Sequence, residues 1–236
     1  MRNLAMLWVL AACLLGCGYK YAKDKAASAT DTVAVAAINP TPTISTFEDS
    51  RDGKIYKKVA IGKQVWMAEN LNYAAEGSVC YDNKMENCAK YGRLYNWETA
   101  ITVCPDGTHL PTDTEWITLL NNVGNQVGIG GTRLKTSEGW NNCSECTHST
   151  HVRKGNGTDD YGFSALPGGG GYDGGLEPDF YYDGIDIHGH WWSATGEEVR
   201  ALCWSMSYHL EYAHWGLATK DCWFSVRCVL YNEKER

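Results

Sequence analysis

The sequence has little phenylalanine, little proline and no excess of positive charge. Its 21 basic residues are outnumbered by 28 acidic ones, and the net charge of −7 argues against a general nucleic-acid-binding protein. Only four Phe occur, against ten Trp and fourteen Tyr. No apolar run approaches the roughly 20 residues that a membrane-spanning helix needs. What is abundant instead is cysteine, with ten residues, and glycine, with 25, which indicates a loop-rich fold.

The N-terminus resembles the export signal of a bacterial lipoprotein. Arg2 precedes an apolar stretch over residues 4–15, which is too short to span a bilayer but is typical of a signal peptide. Residues 14–17, Leu-Leu-Gly-Cys, resemble a lipobox, which predicts that residues 1–16 are cleaved and that Cys17 carries the lipid. Cys13 also satisfies the pattern, and an ordinary secretory signal is the alternative. We therefore expect a protein anchored by lipid in the bacterial outer membrane or at the cell surface.

The composition divides the rest of the chain into a tether and a folded domain. Residues 17–46 are rich in Ala and Thr and lack Trp, and we expect them to form a disordered tether. Residues 47–231 hold the aromatic residues and the periodic segments of a folded domain. Residues 232–236 form a short tail.

Local patterns predict an α+β fold with two short helices. The first covers residues 94–103. The second is predicted from a capping box formed by Thr112 and Glu115, followed by an apolar stripe at helical spacing. Residues 55–66 read as a hairpin, and further short strands are expected at 163–167, 191–194, 202–208 and 223–230. Residues 168–189 read as a long loop.

Eight cysteines remain beyond the lipobox, and their number points to an oxidising compartment or to a metal. The residues alone leave the pairing open. Cys143 and Cys146 precede His148 and His151, a pattern compatible with a structural disulfide, a zinc site or a redox pair. We favour the disulfide because an oxidising compartment removes thiolates.

A glycine-rich stretch at residues 168–192 is the best candidate for ligand binding. Sugars present apolar C–H faces and hydroxyl rims, so exposed aromatic rings beside carboxylates suit them chemically. The alternative is that the aromatic rings pack inward as a second core. The candidate ligand-binding residues are Tyr172, Glu177, Asp179, Phe180, Tyr181, Tyr182, Trp191 and Trp192.

Seven motifs, in order along the chain, resemble the Fibrobacter succinogenes major paralogous domain. They are DSRDGKIYKKVAIGKQVWMAENLNY at 49–73, CAKYGRLYNW at 88–97, CPDGTHLPTDTEW at 104–116, LKTSEGW at 134–140, NGTDDYGFSALPGG at 156–169, WWSAT at 191–195 and FSVRCV at 224–229. The family is similar in fold to C-type lectin-like domains and to the formylglycine-generating enzyme group. Its members resemble exported, often lipidated surface proteins whose biochemical activity is not established. The resemblance implies a C-type lectin-like fold in which the two helices pack on a small antiparallel sheet, with long loops and disulfides.

The lectin-like resemblance also implies a disulfide pattern and a place for a ligand. It pairs Cys104 with Cys228 and Cys203 with Cys222, which leaves Cys80 with Cys88 and Cys143 with Cys146. In lectin-like folds the long loop often carries the ligand site, and Glu177-Pro178-Asp179 resembles the tripeptide of calcium-dependent lectins. The Trp-Asn-Asp half of that signature is missing, because Ser205 and Met206 follow Trp204. We therefore expect no cofactor and no metal, with Ca²⁺ as the alternative.

Three functional hypotheses follow from these observations. The first is a non-catalytic surface module that binds polysaccharide or another envelope component. The second is a structural or protein-interaction module of the envelope. The third is an enzyme of the formylglycine-generating type or a redox protein that uses Cys143 and Cys146 or a metal.

Overall fold

The computed structural model describes residues 41–142, 155–172 and 181–231. Within these ranges the fold is α+β and mostly sheet, with four short α-helices. The helices are α1 (Met85–Tyr91), α2 (Trp97–Ala100), α3 (Asp113–Asn122) and α4 (Gly130–Leu134). The strands are β1 (Ile44–Asp49), β2 (Lys54–Ile61), β3 (Gln64–Met67), β4 (Ser78–Val79), β5 (Leu94–Tyr95), β6 (Thr108–His109), β7 (Gly168–Tyr172), β8 (Tyr181–Ile185), β9 (His188–Gly196), β10 (Arg200–Ser207), β11 (His214–Thr219), β12 (Phe224–Ser225) and β13 (Val229–Leu230).

Two sheets replace the single small sheet that was predicted. The first has the strand order β1-β2-β3-β13-β6 and is antiparallel throughout. The second has the order β11-β10-β9-β12-β5-β4, and β7 joins it beside β9 while pairing with β8. Strand β12 belongs to the second sheet and β13 to the first. The last strands of the chain therefore tie the two sheets together.

Helix α3 forms as the capping box predicts. The Thr112 hydroxyl accepts the backbone N–H of Glu115 at 3.3 Å, and the Glu115 carboxylate accepts the N–H of Thr112 at 2.8 Å. The apolar stripe packs into the core, where the Trp116 ring lies 4.9 Å from Trp66 and 6.3 Å from Trp204. Fully burying each such side chain contributes on the order of 1.5–3 kcal/mol, so this face fixes the helix against both sheets.

Two of the predicted disulfides are present. Cys80 is joined to Cys88 inside α1, and Cys104 is joined to Cys228 across a sequence separation of 124. The second bridge ties the segment before α3 to the approach to β13. It therefore holds the C-terminal strands against the first half of the domain.

The predicted disulfide between Cys203 and Cys222 is wrong. Cys203 is a buried thiol at the centre of β10, and its Sγ donates to the carbonyl of Gly216 on β11 at 3.6 Å. Cys222 is disulfide-bonded, so the two residues differ in oxidation state and are not joined to each other. The lectin-like resemblance implied this pair, but Cys203 lies opposite Gly216 in the pairing of β10 with β11, where its side chain is buried. The pair Cys143 and Cys146 lies outside the described residues, as does Cys17.

Several predicted boundaries change because pairing partners lie far away in sequence. The helix expected at 94–103 shrinks to α2, since the two residues of β5 pair with β4 and β12. Residues 163–167 form an isolated bridge between Ala165 and Lys135 rather than a strand. Strand β1 begins at Ile44, so the prediction of a disordered tether is wrong for residues 44–46. The expected loop at 168–189 contains β7 and β8. Helices α1 and α4 and strand β11 were not predicted.

No helix in the described ranges has the length and the apolar character needed to cross a membrane.

Candidate ligand-binding surface

The two tryptophans of the predicted aromatic platform are buried. Trp191 and Trp192 are both fully inaccessible to solvent. The Trp191 indole donates to Asn70 Oδ1 at 2.8 Å, and the Trp192 indole donates to the carbonyl of Tyr95 at 2.7 Å. Their assignment to an exposed binding surface was therefore wrong. Trp191 packs in the core cluster that contains Trp116, and Trp192 packs in the cluster that contains Phe224, so both faces of β9 are covered.

The tyrosines of the β7–β8 hairpin, in contrast, reach the surface. Tyr181 and Tyr172 stack with ring centroids 5.4 Å apart and an interplanar angle of 23°. Tyr181 is 46% exposed, whereas Tyr172 is half-buried with its ring edge-on to Phe224. Burial raises the pKa of the Tyr172 phenol. One ring is therefore fixed by the core and supports a second ring that faces solvent.

The opposite side of the hairpin carries a second aromatic pair. Tyr182 lies 5.0 Å from the buried Tyr81 ring, and its hydroxyl donates to Asn83 Oδ1 at 2.9 Å. Two exposed carboxylates, Asp82 and Asp183, belong to the same part of the surface. We call the set Tyr172, Tyr181, Tyr182, Asp82, Asn83 and Asp183, which includes both faces of the hairpin, the tyrosine ridge. It combines ring faces with oxygen acceptors, the chemistry that a sugar ring requires.

Glycines allow β7 to lie close beneath the ridge. Gly169 has a φ of +65°, and a Cβ at this position would lie 2.6 Å from the Asp183 carbonyl and 2.7 Å from the Tyr81 ring. A Cβ at Gly170 would lie 2.9 Å from Phe224. A side chain at either position would push the hairpin off the sheet. The glycine run, predicted to form a loop, thus serves a tightly packed strand instead.

Hydrogen bonds fix the far end of the hairpin. The Tyr91 hydroxyl donates to Asp186 Oδ1 at 2.5 Å, and burial together with this bond raises the pKa of Tyr91. Lys90 Nζ lies 3.8 Å from the same carboxylate. The backbone N–H of Asp186 donates to Pro167 at 2.9 Å, and that of Asn141 donates to the Asp186 carbonyl at 2.7 Å. The hairpin is therefore held in place before any ligand binds, which reduces the entropic cost of binding.

Sequence reasoning missed a group of histidines, because their spacing suggested nothing. In the sheet, Ser205 of β10 pairs with His190 of β9 on one side and with His214 of β11 on the other. The His190 ring contacts the Ser205 hydroxyl at 2.7 Å, and the His188 ring contacts the Ser207 hydroxyl at 2.8 Å. Burial lowers the pKa of His190 to about 3 and that of His214 to about 4. Both imidazoles are therefore neutral at pH 7.

Three of the predicted ligand-binding residues cannot be placed. Glu177, Asp179 and Phe180 lie outside the described residues, so the calcium alternative, which depends on the first two, stays a prediction. Within the described ranges, no group of three or more His, Cys, Asp or Glu side chains is arranged to hold a metal ion.

The chain matches the model of the Fibrobacter succinogenes major domain over residues 59–230, and it belongs to this family. The match runs from the end of β2 to β13, so it covers the second sheet, α3, the tyrosine ridge and the first sheet apart from β1 and most of β2. No curated protein and no solved structure matches the chain.

Proposed function

We propose that this chain is a lipid-anchored protein of the bacterial envelope whose domain binds polysaccharide through the tyrosine ridge. The observation that carries the proposal is the Tyr172–Tyr181 stack, in which Tyr181 is supported by the Tyr172 ring and is 46% exposed. Aromatic residues held in this way are enriched among the residues that dominate binding energy. Asp82 and Asp183 supply acceptors for the hydroxyl groups at the rim of a sugar ring.

The location is part of the proposal. The lipobox at residues 14–17 supports a lipid anchor at Cys17, and the two disulfides support export, because such bonds form and persist in oxidising compartments. The Cys104–Cys228 bridge also supports the C-type lectin-like fold, in which a cysteine near the helix pairs with the last strand.

We infer that His190 and His214 serve the packing of the sheet rather than proton transfer. Proton transfer is most effective when the pKa of the group lies near the working pH. Burial moves the pKa of His190 and of His214 well below that range, which suits packing in the sheet.

A pull-down with insoluble polysaccharides, such as cellulose, xylan and chitin, tests the proposal. The wild-type domain should bind at least one of them, and Tyr181→Ala should weaken that binding by about 1–2 kcal/mol, or roughly five- to thirty-fold. Tyr231→Ala is the matched control, because Tyr231 is 47% exposed and stacks on His109, away from the ridge. Absence of binding to every polysaccharide, or equal loss in the two variants, would refute the assignment.

A further inference from the structure

A cleft of about 240 Å³ opens next to the end of α1. It lies between β2, the segment 68–72, the last turn of α1 and the loop 164–166. Pockets that enclose drug-sized ligands span roughly 300–1,000 Å³, so a cleft of this size suits one unit of a larger chain.

The rim of the cleft is basic in a protein that is acidic overall. Lys54, Lys57 and Lys90 line it, while the whole chain carries a net charge of −7. Among the lining residues Glu69 is the only acid, and its Oε2 already accepts the backbone N–H of Lys57 at 2.7 Å. In the described ranges, neither Lys54 nor Lys57 has a carboxylate within 4 Å. Their ammonium groups are available to an external anion.

A buried guanidinium adds positive charge beneath the floor of the cleft. Arg227 is fully inaccessible to solvent and has no carboxylate within salt-bridge distance in the part of the chain that the structure describes. Its Nη2 donates to Asn70 Oδ1 at 2.7 Å and to the carbonyl of Ser164 at 3.3 Å, and both of these residues line the cleft.

The charge of Arg227 reaches the cleft with little screening. Burial lowers the pKa of Arg227 to about 9, and the negative charges of Asp159 and Glu69 limit this decrease. The guanidinium therefore stays protonated at neutral pH. A charge held in protein interior is screened less than one in water, so its field extends into the cleft above it.

Helix α1 connects the cleft to the tyrosine ridge. Its last turn supplies Lys90 and Tyr91 to the cleft, and Tyr81–Asn83, just before the helix, contacts Tyr182. Seven residues of α-helix span about 10 Å, a distance that a short oligosaccharide can cover. One glycan chain can therefore contact both places.

We propose that this cleft binds an anionic unit, carboxylated or sulfated, of the polysaccharide that lies on the tyrosine ridge. The proposal rests on the proposed function and names its ligand class. The lysines attract the anion, and the ridge supports the neighbouring sugar rings.

The test compares two double variants of the β2–β3 hairpin with the same change in charge. Lys54→Gln with Lys57→Gln removes two lysines of the cleft. Lys58→Gln with Lys63→Gln removes one half-buried and one exposed lysine that do not line it, which matches the exposure of the first pair. Binding of the folded domain to polygalacturonate, to dextran sulfate and to a neutral polysaccharide is measured at low and at physiological salt.

The cleft variant should bind the anionic polymers roughly five-fold more weakly, with the neutral polymer unaffected and the control within two-fold of wild type. Binding to polygalacturonate or to dextran sulfate identifies the anion as carboxylate or sulfate. Equal losses in the two double variants, or no preference of the wild type for anionic polymers, would overturn the proposal. If the wild type then still binds the neutral polymer and this binding depends on Tyr181, the proposed function stands although the cleft proposal fails. Failure of the cleft proposal is therefore distinguishable from failure of the proposed function.

Discussion

Removing the Cys104–Cys228 disulfide should destabilise the domain about twice as much as removing Cys80–Cys88. The comparison uses two variants, Cys104→Ala with Cys228→Ala, and Cys80→Ala with Cys88→Ala. Each deletes one bridge and truncates at least one buried cysteine, so the losses of packing are similar. The difference between the variants therefore reports mainly on the size of the closed loop.

The magnitude follows from the loop lengths. The bridges close loops with sequence separations of 124 and 8. In the chain-entropy model these separations correspond to about 4.9 kcal/mol and about 2.5 kcal/mol at 25 °C. We expect the free energies of unfolding to differ by about 2.4 kcal/mol between the two variants.

Urea unfolding followed by tryptophan fluorescence measures both losses. Trp66, Trp116, Trp191 and Trp204 lie in one buried cluster between the sheets, so their emission reports on the whole core. The experiment uses the exported chain without reductant, which keeps its other disulfide bonds intact. Equal destabilisation by the two double substitutions would refute the reasoning, as would a larger effect from the short loop.

Three further predictions concern stability. Thr112→Ala removes the cap of α3 and should lower the free energy of unfolding by about 1 kcal/mol in urea denaturation; a loss below about 0.3 kcal/mol would contradict the capping box. Asn70→Ala leaves the buried Arg227 without its side-chain acceptor and should cost about 2–4 kcal/mol, whereas a loss below about 1 kcal/mol would show that the backbone carbonyls suffice. Burial lowers the pKa of His190 to about 3, so between about pH 6.5 and pH 3 the unfolded chain binds a proton that the folded chain does not, and stability falls as the pH falls. His190→Gln should reduce this loss by roughly 1 kcal/mol per pH unit, measured by urea unfolding at pH 6, 5 and 4. An unchanged dependence of the free energy of unfolding on pH would contradict the burial of a neutral His190.

Local features of the fold could be predicted from the sequence. The capping box depends on residues three positions apart, and α3 begins where Thr112 and Glu115 place it. The β2–β3 hairpin likewise follows from strand-forming residues on either side of Gly62, whose φ is +61°. Each of these elements is specified by contacts within a few residues, which a single sequence displays.

Features that depend on distant pairing could not be predicted in the same way. Trp191 and Trp192 are consecutive in a strand, so their side chains point to opposite faces. Both are buried only because β9 is covered on each face. Asn70 and Arg227 are 157 positions apart, and nothing in the sequence around either residue indicates that they meet.

The candidate site shows the same division. The composition of residues 168–192 predicted an exposed aromatic surface; Tyr181 is exposed, Tyr172 and Tyr182 are half-buried, and their role in binding stays a prediction. The basic cleft was missed because its lysines come from β2 and from α1, which only the tertiary structure brings together.

Native gel electrophoresis in the presence of a soluble polysaccharide tests the central claim, that the tyrosine ridge binds sugar, most directly. The gel compares wild type, Tyr181→Ala and Tyr231→Ala with and without the polymer. The polymer should retard wild type and Tyr231→Ala equally, and it should need a roughly five- to thirty-fold higher concentration to retard Tyr181→Ala to the same extent. Equal retardation of all three proteins, or of none of them across neutral and anionic polymers, would contradict the claim.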